Sequence, residues 1–223
     1  MSAVNIKAVF FDLDGTITDT EKIYQKYWVK IIRDFGYPDF PDDGARDLRS
    51  INSVDGNALM KKRLGEDFDY DIIHERMKRC VEEELRRDGV PLKPGISDAV
   101  SFLSKNGIRS VIVTSTRKED ALQILKSAGI DNYFDTVISA HEVKRGKPHP
   151  DPYLFALETL SIGAREAVAV EDSPNGARSA LDAGLPTIMI PDLTPAPKEL
   201  EGRLSAVIPS LFELPEALKS LVF

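Results

Sequence analysis

Short apolar runs recur along the chain, and the segments between several of them carry the apolar spacing of helices. The first run, residues 8–11, is fully apolar, and a continuous run of about four to eight apolar residues is typical of a strand buried on both faces. Helical spacing is clear at residues 121–128 and 152–160. Strands that alternate with helices predict an α/β protein with a Rossmann-like, three-layer core built on a parallel sheet. The other predicted strands are 111–113, 137–138, 167–170, 188–190 and 206–208.

The stretch that follows the first strand breaks this alternation, because it carries helical periodicity and no convincing strand. Its first apolar stripe ends at Gly36 and Pro38, residues that commonly follow a helix. We therefore predict an all-helical cap domain over residues 19–91, inserted into a core domain made of residues 1–18 and 92–223. The first stripe comprises Ile23, Tyr27, Ile31 and Phe35, and the second comprises Ile73, Met77, Cys80, Val81 and Leu85.

The composition is that of an ordinary globular protein, with 42% hydrophobic and 29% charged residues among 223. A formal net charge of −7 argues against nucleic acid and anionic membrane surfaces as partners. No apolar stretch approaches the length that spans a bilayer, and the N-terminus shows no signal pattern. The single cysteine, Cys80, excludes an internal disulfide and lies among apolar helical positions, which predicts a buried small hydrophobe rather than a nucleophile. We expect a cytoplasmic protein, since a lone cysteine fits a reducing compartment.

The candidate chemistry begins directly after the first predicted strand, with the sequence Asp12-Leu13-Asp14-Gly15-Thr16. Alternate residues of a strand point the same way, so the two carboxylates are expected to leave the strand together. Two carboxylates, a glycine that frees the backbone and a hydroxyl are the parts of a magnesium-assisted phosphoryl-transfer site. An acidic turn is the alternative, since Asp and Gly are common in turns.

Three hydroxyl groups follow the second predicted strand, in Thr114-Ser115-Thr116. Thr116 and Glu119 have the spacing of a capping box, so we expect a helix to start here with Thr116 as its cap. A hydroxyl and free N–H groups at a helix N-terminus also form an anion site. Thr114 is the predicted phosphate contact.

Lys147 lies in a loop that follows a predicted strand, where Gly146 and Pro148 constrain the backbone. A compact ammonium group can neutralise both a transferring phosphoryl group and the carboxylate that attacks it. An ordinary solvated lysine is the alternative.

Two further acids, Glu171 and Asp172, stand at the end of the strand predicted over residues 167–170. Ser173 and Pro174 then have the residue types of a helix cap and a first helical position, and assistance of that cap is the alternative role for Asp172. Magnesium favours few carboxylates together with water and phosphate oxygens. Asp12, Asp172 and the carbonyl of Asp14 fit that pattern.

In this order, and each at a strand end, these motifs resemble those of the haloacid dehalogenase superfamily of phosphohydrolases. The resemblance covers the whole chain. The helical insertion is similar to the cap of the group that contains phosphoglycolate phosphatase and beta-phosphoglucomutase. Segments 10–21, 146–153 and 170–176 look particularly like that group. The founding dehalogenases lack the second aspartate of the first motif, so Asp14 favours phosphoryl transfer.

The resemblance implies a magnesium-dependent phosphatase that acts on a small phosphorylated metabolite through an aspartyl phosphate. Asp12 would be the nucleophile, and Asp14 would be the general acid and then the base. The phosphoryl oxygens would be held by Thr114, by the backbone of Ser115 and by Lys147. The Mg²⁺ ion would be held by Asp12, the Asp14 carbonyl and Asp172, with Glu171 as an outer-shell acid.

Three questions stay open on the sequence. A sugar phosphomutase is the nearest alternative, although beta-phosphoglucomutases carry a histidine at the position that aligns with Tyr24. A phosphate-binding protein without turnover is the second alternative. Arg49, after a helix start predicted near residues 41–44, is either a substrate contact or an ordinary surface arginine. We expect no obligate protein partner.

Overall fold

Six parallel strands form the central sheet in the computed structural model, which describes residues 5–221. The spatial order is β3-β2-β1-β4-β5-β6, so the first strand lies near the middle of the sheet. All the predicted strands are present, with bounds that differ from the predicted ones by one or two residues at most. They are β1 (Ala8–Phe11), β2 (Arg109–Thr114), β3 (Thr136–Ser139), β4 (Ala167–Glu171), β5 (Thr187–Met189) and β6 (Ala206–Val207).

Helices cover both faces of the sheet, because alternate residues of each strand contribute to two separate hydrophobic cores. Val9 and Phe11 of β1 pack into one core, and Ala8 and Phe10 pack into the other. The first core also receives α4, α5 and α9, and the second receives α6 and α7. This arrangement confirms the predicted three-layer α/β fold. The helices of this part of the chain are α4 (Ile96–Lys105), α5 (Lys118–Ser127), α6 (Asp151–Leu160), α7 (Pro174–Asp182), α8 (Lys198–Glu201) and α9 (Leu214–Leu221).

The segment between β1 and α4 is helical, as predicted, and has a hydrophobic core of its own. It contains α1 (Glu21–Asp34), α2 (Ser53–Leu64) and α3 (Tyr70–Asp88). Ile32, Met60 and Met77 are fully or almost fully buried where the three helices meet. Cys80, which the sequence placed in the interior, is only half-buried at the edge of this core, because it lies beside the inward stripe of α3 rather than on it.

One element of the insertion differs from the prediction. No α-helix starts near residues 41–44; the chain forms turns there and then a three-residue 3₁₀ helix, Arg46–Leu48. Pro41 and Gly44 are typical turn residues, and the capped helix begins later, at α2, where the Asn52 side chain accepts a hydrogen bond from the Asp55 N–H.

The chain enters and leaves the helical segment through two short extended stretches whose backbones are hydrogen-bonded to each other. The Asp19 N–H donates to the Pro91 carbonyl at 2.8 Å, and the Lys93 N–H donates to the Ile17 carbonyl at 2.9 Å. These contacts lie where the predicted domains meet, and the division of the chain into two domains stays a prediction. Within residues 5–221, no helix has both the length and the apolar character needed to cross a membrane.

Candidate active site

The carboxyl ends of three neighbouring strands bring the predicted motifs together. Phe11 of β1 is level with Ile112 of β2 on one side and with Val170 of β4 on the other. The residues that follow these positions therefore emerge at the same edge of the sheet, where ligands bind in open α/β sheets. This register places Asp12 between the second and fourth motifs.

Lys147 connects this edge to the loop after β3, and its ammonium group is completely buried. Its Nζ donates to Asp12 Oδ1 at 2.7 Å, to Glu171 Oε1 at 2.6 Å and to the Val113 carbonyl at 2.8 Å. Burial alone would lower the pKa of Lys147, but the carboxylates of Asp12 and Glu171 raise it above its usual value. The interpretation of Lys147 as a solvated lysine is therefore wrong.

Asp14 is held differently from Asp12, by hydroxyl groups instead of an ammonium group. Thr20 Oγ1 donates to Asp14 Oδ1 at 2.6 Å, and Thr116 Oγ1 donates to Asp14 Oδ2 at 2.7 Å. Burial, together with the nearby charge of Asp12, raises the pKa of Asp14 against the effect of these hydrogen bonds. The two carboxylates of the first motif thus have different environments, which is the usual way in which proteins separate the roles of two acids.

The capping role predicted for Thr116 is wrong. Helix α5 begins at Lys118, its N-cap residue is Arg117, and no side chain caps it. The Thr116 hydroxyl binds Asp14 instead. The local pattern fits a capping box, but the Thr116 hydroxyl is oriented by a charge-assisted hydrogen bond that it donates to the buried Asp14 carboxylate. The N–H groups at the start of α5 can be solvated by water instead.

The other hydroxyl groups of the second motif face different partners. Thr114 is buried as the last residue of β2, and its Oγ1 accepts a hydrogen bond from the Thr116 N–H at 3.0 Å. Ser115 Oγ donates to the Ser50 carbonyl of the helical segment at 3.2 Å. Both residues line a cleft that lies between the helical segment and this edge of the sheet. Their contact with a phosphoryl group stays a prediction.

Three buried acids, Asp12, Glu171 and Asp172, can each offer an oxygen to a common point, since these oxygens lie within 4.8 Å of one another. Burial raises the pKa of Asp172 well above its usual range and that of Glu171 to about 7. Asp12 Oδ2, Glu171 Oε2 and both oxygens of Asp172 have no hydrogen-bond partner among the described residues. Buried carboxylates without partners are costly, and oxygen ligands of this kind fit a hard divalent cation. The residues therefore fit a divalent metal ion.

The predicted cap at the fourth motif is confirmed and explains how the two acids are held. The Ser173 side chain accepts a hydrogen bond from the Gly176 N–H, and Pro174 is the first residue of α7. A Cβ atom on Gly176 would lie 1.9 Å from Glu171 Oε2. Only glycine therefore lets the first turn of α7 approach the Glu171 carboxylate so closely.

Arg49 is buried, so its interpretation as a surface arginine is wrong. It is 5% exposed, and its Nη1 lies 3.3 Å from Asp172 Oδ2, within ion-pair distance but without hydrogen-bond geometry. Asn175 Nδ2 donates to the Arg49 carbonyl at 3.0 Å and thereby fixes the backbone. Arg49 thus brings a positive charge from the helical segment to the acids of the core.

Two residues of this site were not singled out from the sequence. The Tyr153 hydroxyl donates to Glu171 Oε1, so Glu171 is held by both Tyr153 and Lys147. Tyr153 has the spacing of a core residue of α6, and only the fold shows what its hydroxyl contacts. Glu21 is the first residue of α1 and is buried in the cleft. An acid at the first position of a helix is usual, because it interacts favourably with the helix N-terminus, so nothing in the sequence singled it out.

A cleft of about 1150 Å³ separates the helical segment from the sheet edge. Asp12, Asp14 and Thr114 lie on its core side, and Tyr24 and Trp28 of α1 lie on the opposite side. The cleft joins the acids to a surface of aromatic and polar side chains, and its volume is that of a site for a small molecule.

The parallel sheet, the helical segment after β1 and the four motifs at strand ends are the features of a haloacid dehalogenase-like protein. The family model for haloacid dehalogenase-like hydrolases matches residues 9–190, and the chain belongs to this family.

Known proteins of the family resemble the chain over most of its length. A phosphorylated carbohydrates phosphatase of Thermotoga maritima is 31% identical over 188 residues, which cover 82% of this chain and 84% of that protein. A phosphoglycolate phosphatase of Nitrosospira multiformis is 30% identical, with 93% of each chain covered. The crystal structure of CbbY from Rhodobacter sphaeroides in complex with phosphate has a TM-score of 0.78 and 27% identity, with 94% of this chain and 96% of that chain covered.

Proposed function

We propose that the chain is a Mg²⁺-dependent phosphoric monoester hydrolase that acts on a small phosphorylated metabolite through an aspartyl phosphate. The observation that carries this proposal is the different environment of the two carboxylates of the first motif. Asp12 lies against the Lys147 ammonium group, whereas Asp14 is held by two hydroxyls and has a raised pKa. The names of the relatives, which include phosphatases of carbohydrates and of phosphoglycolate, support the reaction class.

Asp12 is the proposed nucleophile. Its Oδ1 is neutralised by Lys147, and its Oδ2 has no hydrogen-bond partner among the described residues. A carboxylate oxygen of Asp12 attacks phosphorus, the ester oxygen leaves with the bonding electrons, and a mixed anhydride of Asp12 and phosphate results. Water then attacks phosphorus and releases phosphate. Two displacements replace one difficult hydrolysis.

Asp14 is the proposed general acid and base. A raised pKa keeps a proton available for the departing alkoxide, and the carboxylate that remains can take a proton from the attacking water. Thr20 and Thr116 orient the two oxygens. General acid–base catalysis of this kind contributes about 10²–10⁴-fold to the rate.

The remaining residues hold the phosphoryl group and its counter-charges. Thr114, the Ser115 backbone and Lys147 would bind the phosphoryl oxygens, and Arg49 would contact the substrate from the helical segment. A Mg²⁺ ion held by Asp12, the Asp14 carbonyl and Asp172, with Glu171 in the outer shell, would offset the repulsion between an anionic nucleophile and an anionic ester. Glu171 also positions Lys147, through a 2.6 Å contact.

A sugar phosphomutase is the second candidate. A beta-phosphoglucomutase carries a histidine at the position of Tyr24, and the phenol of Tyr24 has a pKa raised by burial, so it is a poor proton acceptor at neutral pH. This difference favours hydrolysis. The proposed location is the cytoplasm, the proposed partner is the small phosphorylated substrate, and neither nucleic acid, a membrane nor an obligate protein partner is part of the proposal.

The purified chain should be assayed with small phosphate esters, including beta-glucose 1-phosphate, in Mg²⁺ and in EDTA. Phosphate released in Mg²⁺ and not in EDTA is the expected result. Glucose 6-phosphate formed with little free phosphate would instead identify a mutase. An absence of turnover with every ester would favour a phosphate-binding protein.

A further inference from the structure

Glu21 is a buried acid of the cleft that the proposed mechanism does not use. It is the first residue of α1, only 7% exposed, and it lines the cleft. Within residues 5–221 its carboxylate makes no hydrogen bond and no ion pair. The Glu21 oxygens are not among the fully buried polar atoms that lack a partner in the described residues, so they stay accessible from the cleft and are available to a hydrogen-bond donor of a ligand.

The position of Glu21 puts this carboxylate beside the reacting groups. A Cβ atom on Gly15 would lie 2.9 Å from Glu21 Cγ and 2.7 Å from Asp172 Cγ, so the two acids approach the same glycine of the first motif. Burial raises the pKa of Glu21, and the charges of Asp172 and Asp14 raise it further, while Arg49 opposes them. The negatively charged neighbours Asp172 and Asp14 favour a hydrogen-bond donor from the ligand and disfavour another anion.

Two other residues of α1 extend the same surface along the cleft. Glu21, Tyr24 and Trp28 are spaced by three and then four residues, which places them along one face of a helix, and all three line the cleft. The phenol of Tyr24 stays protonated, because burial raises its pKa, and it can both donate and accept. The Trp28 ring is stacked with His74 at 5.5 Å. A carboxylate and a phenol on one face of α1 suit a molecule that carries hydroxyl groups.

We propose that Glu21 is a specificity-determining residue that accepts a hydrogen bond from a leaving-group hydroxyl near the scissile ester. The substrate class that follows is polyol and sugar phosphates, and leaving groups with a carboxylate at that place are disfavoured. The inference rests on the proposed function and narrows its substrate. It also distinguishes this chain from a relative that acts on phosphoglycolate, whose leaving group carries a carboxylate.

The test compares matched esters with wild type and with Glu21→Gln. Each hydroxylated ester is paired with a counterpart without the neighbouring hydroxyl, such as glycerol 1-phosphate with propyl phosphate, and phosphoglycolate is the carboxylated ester. Wild type should prefer the hydroxylated ester of a pair by about 10- to 100-fold in kcat/KM, the range expected of a hydrogen bond to a charged group. In Glu21→Gln this preference should shrink to a few-fold, and hydrolysis of phosphoglycolate relative to propyl phosphate should rise.

Two controls separate this role from a structural one. Glu75→Gln makes the same change at an exposed position of the same cleft and should leave the preference unaltered. Glu21→Gln removes a negative charge near Asp172, so all variants are compared at saturating Mg²⁺, where a change in metal affinity does not alter the preference between paired esters. An equal loss on both esters of each pair at saturating Mg²⁺, or a preference for phosphoglycolate in wild type, would overturn the proposal. If wild type hydrolyses no ester at all, the proposed function itself fails.

Discussion

Arg49 and Asp172 meet across the cleft, with 3.3 Å between Arg49 Nη1 and Asp172 Oδ2, and both side chains are almost fully buried. The guanidinium group comes from the helical segment, and the carboxylate follows strand β4 of the core. Asp172 is also one of the three acids that fit a divalent metal ion. A guanidinium group and a metal ion at the same carboxylate compete, because both are cations.

Arg49→Gln should therefore change two quantities in opposite directions. The variant should bind Mg²⁺ more tightly in a calorimetric titration, since a competing positive charge has been removed. Its KM for the ester should rise about tenfold or more, because a charge-assisted contact with the substrate is lost. Arg46→Gln, on the same loop but half-exposed and paired with Asp43, should change neither. An unchanged KM in Arg49→Gln would contradict the substrate role of Arg49.

Lys147→Met should destabilise the protein as well as inactivate it. The substitution leaves Asp12 and Glu171 buried without their shared cation, and breaking a buried ion pair in this way costs about 3–5 kcal/mol. Lys118→Met is the matched control, because Lys118 pairs with Glu142 at the surface, where a pair contributes about 0–1 kcal/mol. Denaturant titration measures both, and equal midpoints would refute the buried-pair interpretation.

His74 should make the stability of the protein depend on pH. Burial lowers the pKa of His74, and Lys78 lowers it further, while Glu75 and Asp71 act in the opposite direction. The unfolded chain then binds a proton more readily than the folded protein, so stability is lost as the pH falls below about 6.5, the ordinary value for histidine.

The measurement is the melting temperature between pH 8 and 5 in EDTA, for wild type and for His74→Gln. The variant loses a ring that stacks with both Trp28 and Tyr70 and should melt lower at every pH. Its melting temperature should nevertheless fall less steeply toward pH 5 than that of wild type. Identical slopes would show that His74 does not carry the effect.

Asp14→Asn should slow esters with poor leaving groups far more than aryl phosphates. An alkoxide needs a proton when it departs, and an aryloxide does not, so the loss should approach the 10²–10⁴-fold typical of a general acid with alkyl esters only. The measurement is kcat on an alkyl and an aryl phosphate. Equal losses on both would indicate that Asp14 is chiefly structural.

The strands and most helices could be predicted from the sequence because they depend on local patterns. Residues 8–11 are apolar on both faces, and the stripe that begins at Ile23 has helical spacing, so each pattern is sufficient by itself. Ser173 and Pro174 likewise indicate a helix start, because serine is a common N-cap residue and proline is common at the first helical position. The meeting of the motifs follows from the parallel sheet, which places strand ends at one edge.

The partners of individual side chains could not be predicted in this way, since they come from distant parts of the chain. Thr116 had a complete local capping pattern, yet its hydroxyl binds Asp14, which lies 102 residues earlier in the chain. Arg49 looked like any surface arginine until the fold placed it against Asp172. Glu21 and Tyr153 had ordinary helical explanations, and only the cleft shows what surrounds them.

The most direct test of the central claim is detection of a phosphorylated Asp12 during turnover. Wild type and Asp12→Asn are mixed with an ester in Mg²⁺, quenched in acid, reduced with borohydride and digested for mass spectrometry of the peptide that contains residue 12. We expect Asp12 to be converted to homoserine in wild type, and we expect Asp12→Asn to be folded by circular dichroism but free of both modification and turnover. Phosphate release without modification of Asp12, or appreciable turnover by Asp12→Asn, would contradict the assignment of Asp12 as the nucleophile.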